Sequence, residues 1–247
     1  MQYFLIFDSR LSPWEGFSLF GPAHLIWLAC IAAFCVVYSL LYKKADEKKR
    51  EIMRKALAIA CVLLEGARHI LALSVGQDDV SMIPLHLCGM SIFINFWYAF
   101  WPNKTAGEIL YSLCLPGALA ALLFSDWTVY PLWNYQSIQS FVIHAFHFTF
   151  PVMLLVSGQI RPSVKNLWRP VLFLLIVCPP IYFLNRLWGT NFFFLSWASP
   201  GSPLEPLQNL LGNPGYLFGF AGLLLVIWLV LYLPFIILDS RKKSKSA

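Results

Sequence analysis

A cysteine set among polar residues inside an otherwise apolar stretch is the first group in this sequence able to do covalent chemistry. Cys88, Ser91 and Asn95 fall at i, i+3 and i+7, one stripe on a helix, and His86 lies two residues before the cysteine. Ser140, His144, His147 and Pro151 fall at i, i+4, i+7 and i+11 and form a second stripe. Polar groups in an apolar setting need partners, so the two stripes are expected to face each other. A thiol becomes a nucleophile when a base takes its proton and when a helix start favours the thiolate. Cys88 falls near the start of its stretch, and a histidine of the second stripe, His144, is the expected base. On a regular helix His86 points about 200° away from Cys88, which makes it a poor direct partner.

Glu65, Arg68 and His69 cluster on about one third of another helix, and Glu65 and Arg68, at i and i+3, are expected to form an ion pair. Arg68, His147 or Arg186 could hold a phosphate or an oxyanion, with Asn185 and Asn191 supporting them. The alternative chemistry is metal-assisted hydrolysis, with His69, His86, His144 and His147 as zinc ligands and Glu65 as base. No HExxH occurs, and neither a metal nor another cofactor is expected. Cys30, Cys35, Cys61, Cys114 and Cys178 are expected to pack as small hydrophobes. With no CxxC, neither a disulfide framework nor a zinc ribbon is indicated.

The elements that must position these groups are membrane helices. The 247 residues are 59% hydrophobic, 17% aromatic and 12% charged, and the mean hydropathy is +0.66. Soluble domains carry about 25% charged residues, so a water-facing globular fold is excluded. The expected architecture is an all-α, single-domain bundle of seven transmembrane helices, running about Ala23 to Tyr42, Ala56 to Val75, Met82 to Trp101, Ala106 to Phe124, Ser137 to Ser157, Pro170 to Trp188 and Gly215 to Leu238. No internal repeat is evident. The loop from Gly189 to Pro214 is expected to be irregular because of Pro200, Gly201, Pro203 and Pro206. It should fold back on the bundle through Phe192, Phe193, Phe194 and Trp197.

Lys43, Lys44, Lys48, Lys49, Arg50, Arg54, Lys55, Lys104, Arg161, Lys165, Arg169, Arg241, Lys242, Lys243 and Lys245 fall on one side of the bundle, against Arg10 alone in the opposite loops. The N-terminus is therefore expected outside and the C-terminus in the cytoplasm. The net charge of +6 is explained by this bias and by anionic lipid headgroups, and no nucleic-acid partner is expected. The first residues, with Asp8, Arg10, Pro13 and Glu15, do not look like a cleaved signal. With this topology Cys88, Arg68, His69 and His144 lie roughly 10 Å below the outer surface, and Glu65 and His147 roughly 15 Å. Glu108, at a cytoplasmic end, is the exception.

These residues also carry a resemblance. Phe17-Ser-Leu-Phe-Gly-Pro-Ala-His24, Pro84-Leu-His-Leu-Cys88, His144 seven residues before Pro151, and Gly189-Thr-Asn-Phe-Phe-Phe-Leu195 resemble the YwaF type of bacterial integral membrane protein. That family is similar to the eukaryotic transmembrane protein 164 acyltransferases. Pro-Leu-His-Leu-Cys is the most specific piece, and the resemblance spans essentially the whole chain. Leu211-Gly-Asn-Pro-Gly-Tyr216 departs from the bulkier, Trp-containing version of that segment. The resemblance implies acyl transfer between glycerophospholipids through a cysteine and a histidine, mapped by motif onto Cys88 and His144, in the bacterial plasma membrane.

Both lines lead to a membrane-embedded lipid acyltransferase with membrane lipids as its substrates. Cys88 would attack an ester carbonyl, with His144 as base and then acid. The rival expectation is a transporter or small-ligand receptor with a buried pocket of Glu65, Arg68 and histidines.

Overall fold

In the computed structural model, residues 4–7 and 16–244 are described, the side chains of Asp239 and 241–244 apart. Asp8, Arg10, Pro13, Glu15 and Lys245 lie outside the described residues. The chain is all-α: α1 (Pro22–Lys44), α2 (Glu47–Ser74), α3 (Leu87–Phe100), α4 (Lys104–Ile109), a π-helical turn (Leu110–Cys114), α5 (Leu115–Leu123), α6 (Tyr135–Val156), α7 (Trp168–Trp188), α8 (Leu204–Leu211) and α9 (Tyr216–Ser244). Six stretches are long and apolar enough to cross a membrane: Pro22–Lys44, Glu47–Ser74, Lys104–Val129, Tyr135–Val156, Val164–Trp188 and Tyr216–Leu238.

The third expected span, Met82 to Trp101, is shorter than the sequence suggested. α3 has 14 residues, about 21 Å of helix against about 30 Å of hydrocarbon. Pro84 is the physical reason. It disfavours helix at the residue before it, and Ile83 is extended at φ −55°, ψ 132°. The chain then turns back so tightly that a Cβ on Gly89 would lie 2.6 Å from three backbone atoms of Pro84. Only a glycine fits there, and the start of α3 is locked against the Pro84 turn.

α2 begins earlier than Ala56. Asp46 caps it by accepting the Lys49 N–H at 2.9 Å, so the basic residues from Lys48 to Lys55 lie on the helix itself. Lysine, arginine and glutamate are good helix formers, and nothing stops the helix there.

Pro116 shapes the next stretch. It has no N–H to give the Ser112 carbonyl, and the helix widens into the π-turn just before it. The indole N–H of Trp228 on α9 donates to that carbonyl at 2.9 Å, which ties α9 to the bulge.

α6 is the central helix, packed on α1, α2, α3 and α5. α7 and α9 instead expose apolar faces, including Leu175, Ile176, Phe183, Leu225, Leu229 and Val230. In water such a surface would aggregate; against lipid tails it is matched.

The loop from Gly189 is more regular than expected. Pro206 occupies the first turn of α8, where a missing N–H costs nothing. The amphipathic α8 buries Leu204, exposes Leu210 and packs on α9.

Candidate functional site

Cys88 is the second residue of α3, whose N-cap is His86. The His86 side chain makes no capping hydrogen bond, so the first amides of the helix, Leu87, Cys88 and Gly89, have no acceptor among the described residues. An N-terminus with free amides stabilises negative charge, on the thiolate or on an oxygen beside it. Ser91, one turn on, donates to the Leu87 carbonyl at 2.8 Å.

The His144 ring is held in place. Its Nδ1 donates to the Ser140 carbonyl at 2.7 Å, and a carbonyl only accepts, so the proton sits on Nδ1 and Nε2 keeps its lone pair. The ring stacks on Trp127 at 4.9 Å and 21°. Asp126, next to Trp127, is exposed, and Cys88, His86 and His144 are half-buried.

The expected ion pair is present and larger than foreseen. Arg68 is held by both carboxylate oxygens of Glu65, Nε donating to Oε2 at 3.1 Å and Nη2 to Oε1. Nη2 also donates to the Met82 carbonyl at 2.6 Å, which anchors the turn leading to α3. Gln139 donates to Glu65 at 3.4 Å, and His69 bridges Glu65 at 3.5 Å and Asp78 at 3.3 Å. Beside this network lies a pocket of about 250 Å³ lined by Phe7, Arg68, Ser81, Met82, Tyr130 and Gln136. The segment 4–7 closes over it: the Phe7 N–H donates to Gln77 at 2.7 Å and its carbonyl accepts from Tyr130 at 2.7 Å.

The two stripes meet deeper in the bundle. The Asn95 carboxamide donates to His147 Nδ1 at 2.9 Å, and the Cys61 sulfur lies 4.0 Å from the same nitrogen. Cys61 is fully buried, and His147 Nε2 and Asn95 Oδ1 are buried without partners among the described residues.

Other expected site residues serve the scaffold. The His86 ring packs between Phe192 at 5.2 Å and Phe194 at 5.4 Å. Asn185 accepts from the Phe192 N–H at 2.8 Å and from the Thr190 hydroxyl at 2.9 Å, and donates to the Phe192 carbonyl at 2.9 Å. Asn191 accepts from Ser196 and Trp197 amides at 2.9 and 3.1 Å. These bonds hold Phe193 and Phe194 at φ 57° and 53°, left-handed values that cost a bulky residue roughly 1 kcal/mol or more. Arg186 is exposed, with no partner among the described residues. Of the four histidines, His144 and His147 meet edge to face at 6.1 Å, while His69 lies with Glu65 and Asp78 and His86 with Phe192 and Phe194. Among the described residues no group of three or more His, Cys, Asp or Glu side chains could hold a metal.

Cys61 is the residue missed in the sequence: it was expected to pack as a small hydrophobe, and its sulfur meets His147. Its place on α2, four residues before Glu65, was the available signal.

A helix bundle of this composition, with its apolar faces outward, is an integral membrane protein. The model of the TMEM164 family matches residues 19–232, and the chain belongs to that family. No curated protein and no solved structure matches the chain.

Proposed function

We propose that this TMEM164-family protein is a cysteine-dependent lipid acyltransferase of the bacterial plasma membrane. Its chain would cross the membrane seven times, with the N-terminus outside and α3 as a short, half-buried crossing. The observation that carries the proposal is the uncapped start of α3 at Cys88, and the His144 proton held on Nδ1 leaves its Nε2 to act as the base.

In the first half-reaction the Cys88 thiol gives its proton to His144 Nε2 and its sulfur attacks the ester carbonyl of a glycerophospholipid. The oxyanion is met by the free amides at the start of α3. Collapse expels the lysolipid oxygen, which takes the proton from His144 and leaves a thioester on Cys88. In the second half-reaction the hydroxyl of an acceptor lysolipid gives its proton to His144 and attacks the thioester; the sulfur leaves and is reprotonated. Water as acceptor would make the same site a hydrolase. Arg68, beside the outer pocket, is the donor for a lipid phosphate.

A second reading is favoured by the 4.0 Å contact of Cys61 with His147. Cys61 is sealed from any substrate, and His147 Nδ1 is already engaged by Asn95, so Cys88 is the better nucleophile.

The test uses protein in lipid nanodiscs, an acyl-mimicking thiol-reactive probe, and mass spectrometry of the labelled residue. Selective labelling of Cys88 that falls in His144→Ala supports the enzyme. Labelling spread over all six cysteines, or confined to Cys61, overturns the assignment; the former outcome favours a transporter or receptor.

A further inference from the structure

At the opposite end of α3 from Cys88 lies a larger cavity, about 510 Å³, whose lining includes Tyr98, Asn103, Lys104, Glu108, Gln159 and Arg161. Glu108 is 4% exposed. Its Oε1 accepts the Ser163 N–H at 3.1 Å and the Asn166 carboxamide at 2.8 Å, and its Oε2 accepts the Tyr232 hydroxyl at 2.8 Å. Among the described residues no cation lies within ion-pair distance of it. A buried carboxylate without a counter-cation is costly, and hydrogen bonds offset that cost only in part. Lys104 and Arg161 line the same cavity, are exposed, and have no anionic partner among the described residues.

The charges are therefore sorted: one buried negative group inside, two unpaired positive groups at the mouth. A ligand carrying only a phosphate would leave Glu108 uncompensated and beside it. A simple cation would have to pass both basic side chains. The complementary ligand is a zwitterion that enters with its ammonium first and keeps its phosphate at the mouth. Tyr98 is the only aromatic ring in the lining, so no aromatic cage for a quaternary ammonium is present among the described residues, and a hydrogen-bonding primary ammonium is the better fit. Trp101 and Trp168, exposed at the same end of α3 and α7, are of the type that sits at headgroup level.

We propose that this cavity binds a phosphoethanolamine group, with the ammonium on the Glu108 carboxylate and the phosphate between Lys104 and Arg161. The site is separate from Cys88, at the other end of α3, and stands whether or not acyl transfer occurs there.

Native mass spectrometry of the detergent-solubilised full chain, offered phosphatidylethanolamine, phosphatidylglycerol and phosphatidylcholine in equal amounts, tests it. Phosphatidylethanolamine should be retained over phosphatidylglycerol by about tenfold, the factor one charge-assisted hydrogen bond carries. The Lys104→Gln/Arg161→Gln variant, altered only at exposed positions, should lose that retention. Glu108→Gln should lose the preference for phosphatidylethanolamine while keeping some phosphatidylglycerol. Equal retention of phosphatidylglycerol by the wild type, or an unchanged double variant, overturns the proposal. Soluble O-phosphoethanolamine separates the sources: displacement of the lipid makes the headgroup alone sufficient, and failure to displace a selectively retained phosphatidylethanolamine makes the ligand a lipid.

Discussion

Two histidine-bearing regions of the bundle use the same residue in opposite ways. His24, at the start of α1, is fully buried; its Nδ1 accepts the Phe20 N–H at 2.9 Å and its Nε2 donates to the Leu122 carbonyl at 2.8 Å. Both ring nitrogens are spent: Nδ1 fixes the turn into α1 and Nε2 joins α1 to α5. His144 spends only Nδ1, on its own helix, and its Nε2 has no hydrogen-bond partner among the described residues. Hydrogen-bond satisfaction, more than burial, separates a histidine that holds the fold from one available for chemistry.

The strongest way to break that comparison is to delete each ring. His144→Ala should lower the rate of Cys88 labelling by about 10²- to 10⁴-fold, the usual contribution of a positioned base, with little loss of stability. His24→Ala should do the reverse, costing about 2–4 kcal/mol through two orphaned partners and a cavity while the surviving folded protein labels normally. Thermal melts in detergent beside labelling rates read both; equal labelling loss in the two variants would sink the distinction.

Gly89→Ala sharpens the cysteine side. A methyl 2.6 Å from the Pro84 backbone must push α3 and its turn apart, at about 1–3 kcal/mol, and Cys88 labelling should drop as the amides lose their place. Asn185→Ala probes the phenylalanine loop beneath His86. It removes three bonds to the loop and should cost about 2–3 kcal/mol, read as faster proteolysis between Gly189 and Trp197 with the His144 side unchanged.

The smallest effect is one of pH. Asp79 accepts the Ser81 N–H at 2.7 Å, and this bond holds its carboxyl below the ordinary 3.8. Its folded pKa is depressed, so its stabilisation of the turn is complete above 3.8 and fades as pH falls through the folded value. Protection of the Ser81 amide from hydrogen exchange should weaken at pH 3 relative to pH 6 in the wild type, and hold steady in Asp79→Asn, whose side chain keeps an acceptor.

Much of this was legible along the chain. Glu65 and Arg68 pair as their i, i+3 spacing demanded, because both lie on one helix and geometry follows from sequence distance. Asn95 and His147 meet because their stripes were the polar faces of apolar helices. Asn185 and Asn191 were expected to support a substrate, and their bonds go to the Phe192 loop; a carboxamide looks the same in sequence whether it serves substrate or scaffold. The contact of Cys61 with His147 was overlooked because it comes from a helix distant in the chain.

Composition and periodicity alone determined an all-α integral membrane protein with a basic side, since apolar length and charge bias are one-dimensional properties. Its motifs likewise pointed toward the family to which the chain belongs. Tertiary structure decided which polar groups are satisfied and which are left open. It shortened α3 at the Pro84 turn, gave the Ser112 carbonyl to Trp228, sealed Cys61, and left Glu108 without an ion-pair partner among the described residues. Each of these depends on what a neighbouring helix brings within about 3–4 Å, the reach of hydrogen bonds and ion pairs, and no pattern along one helix contains it.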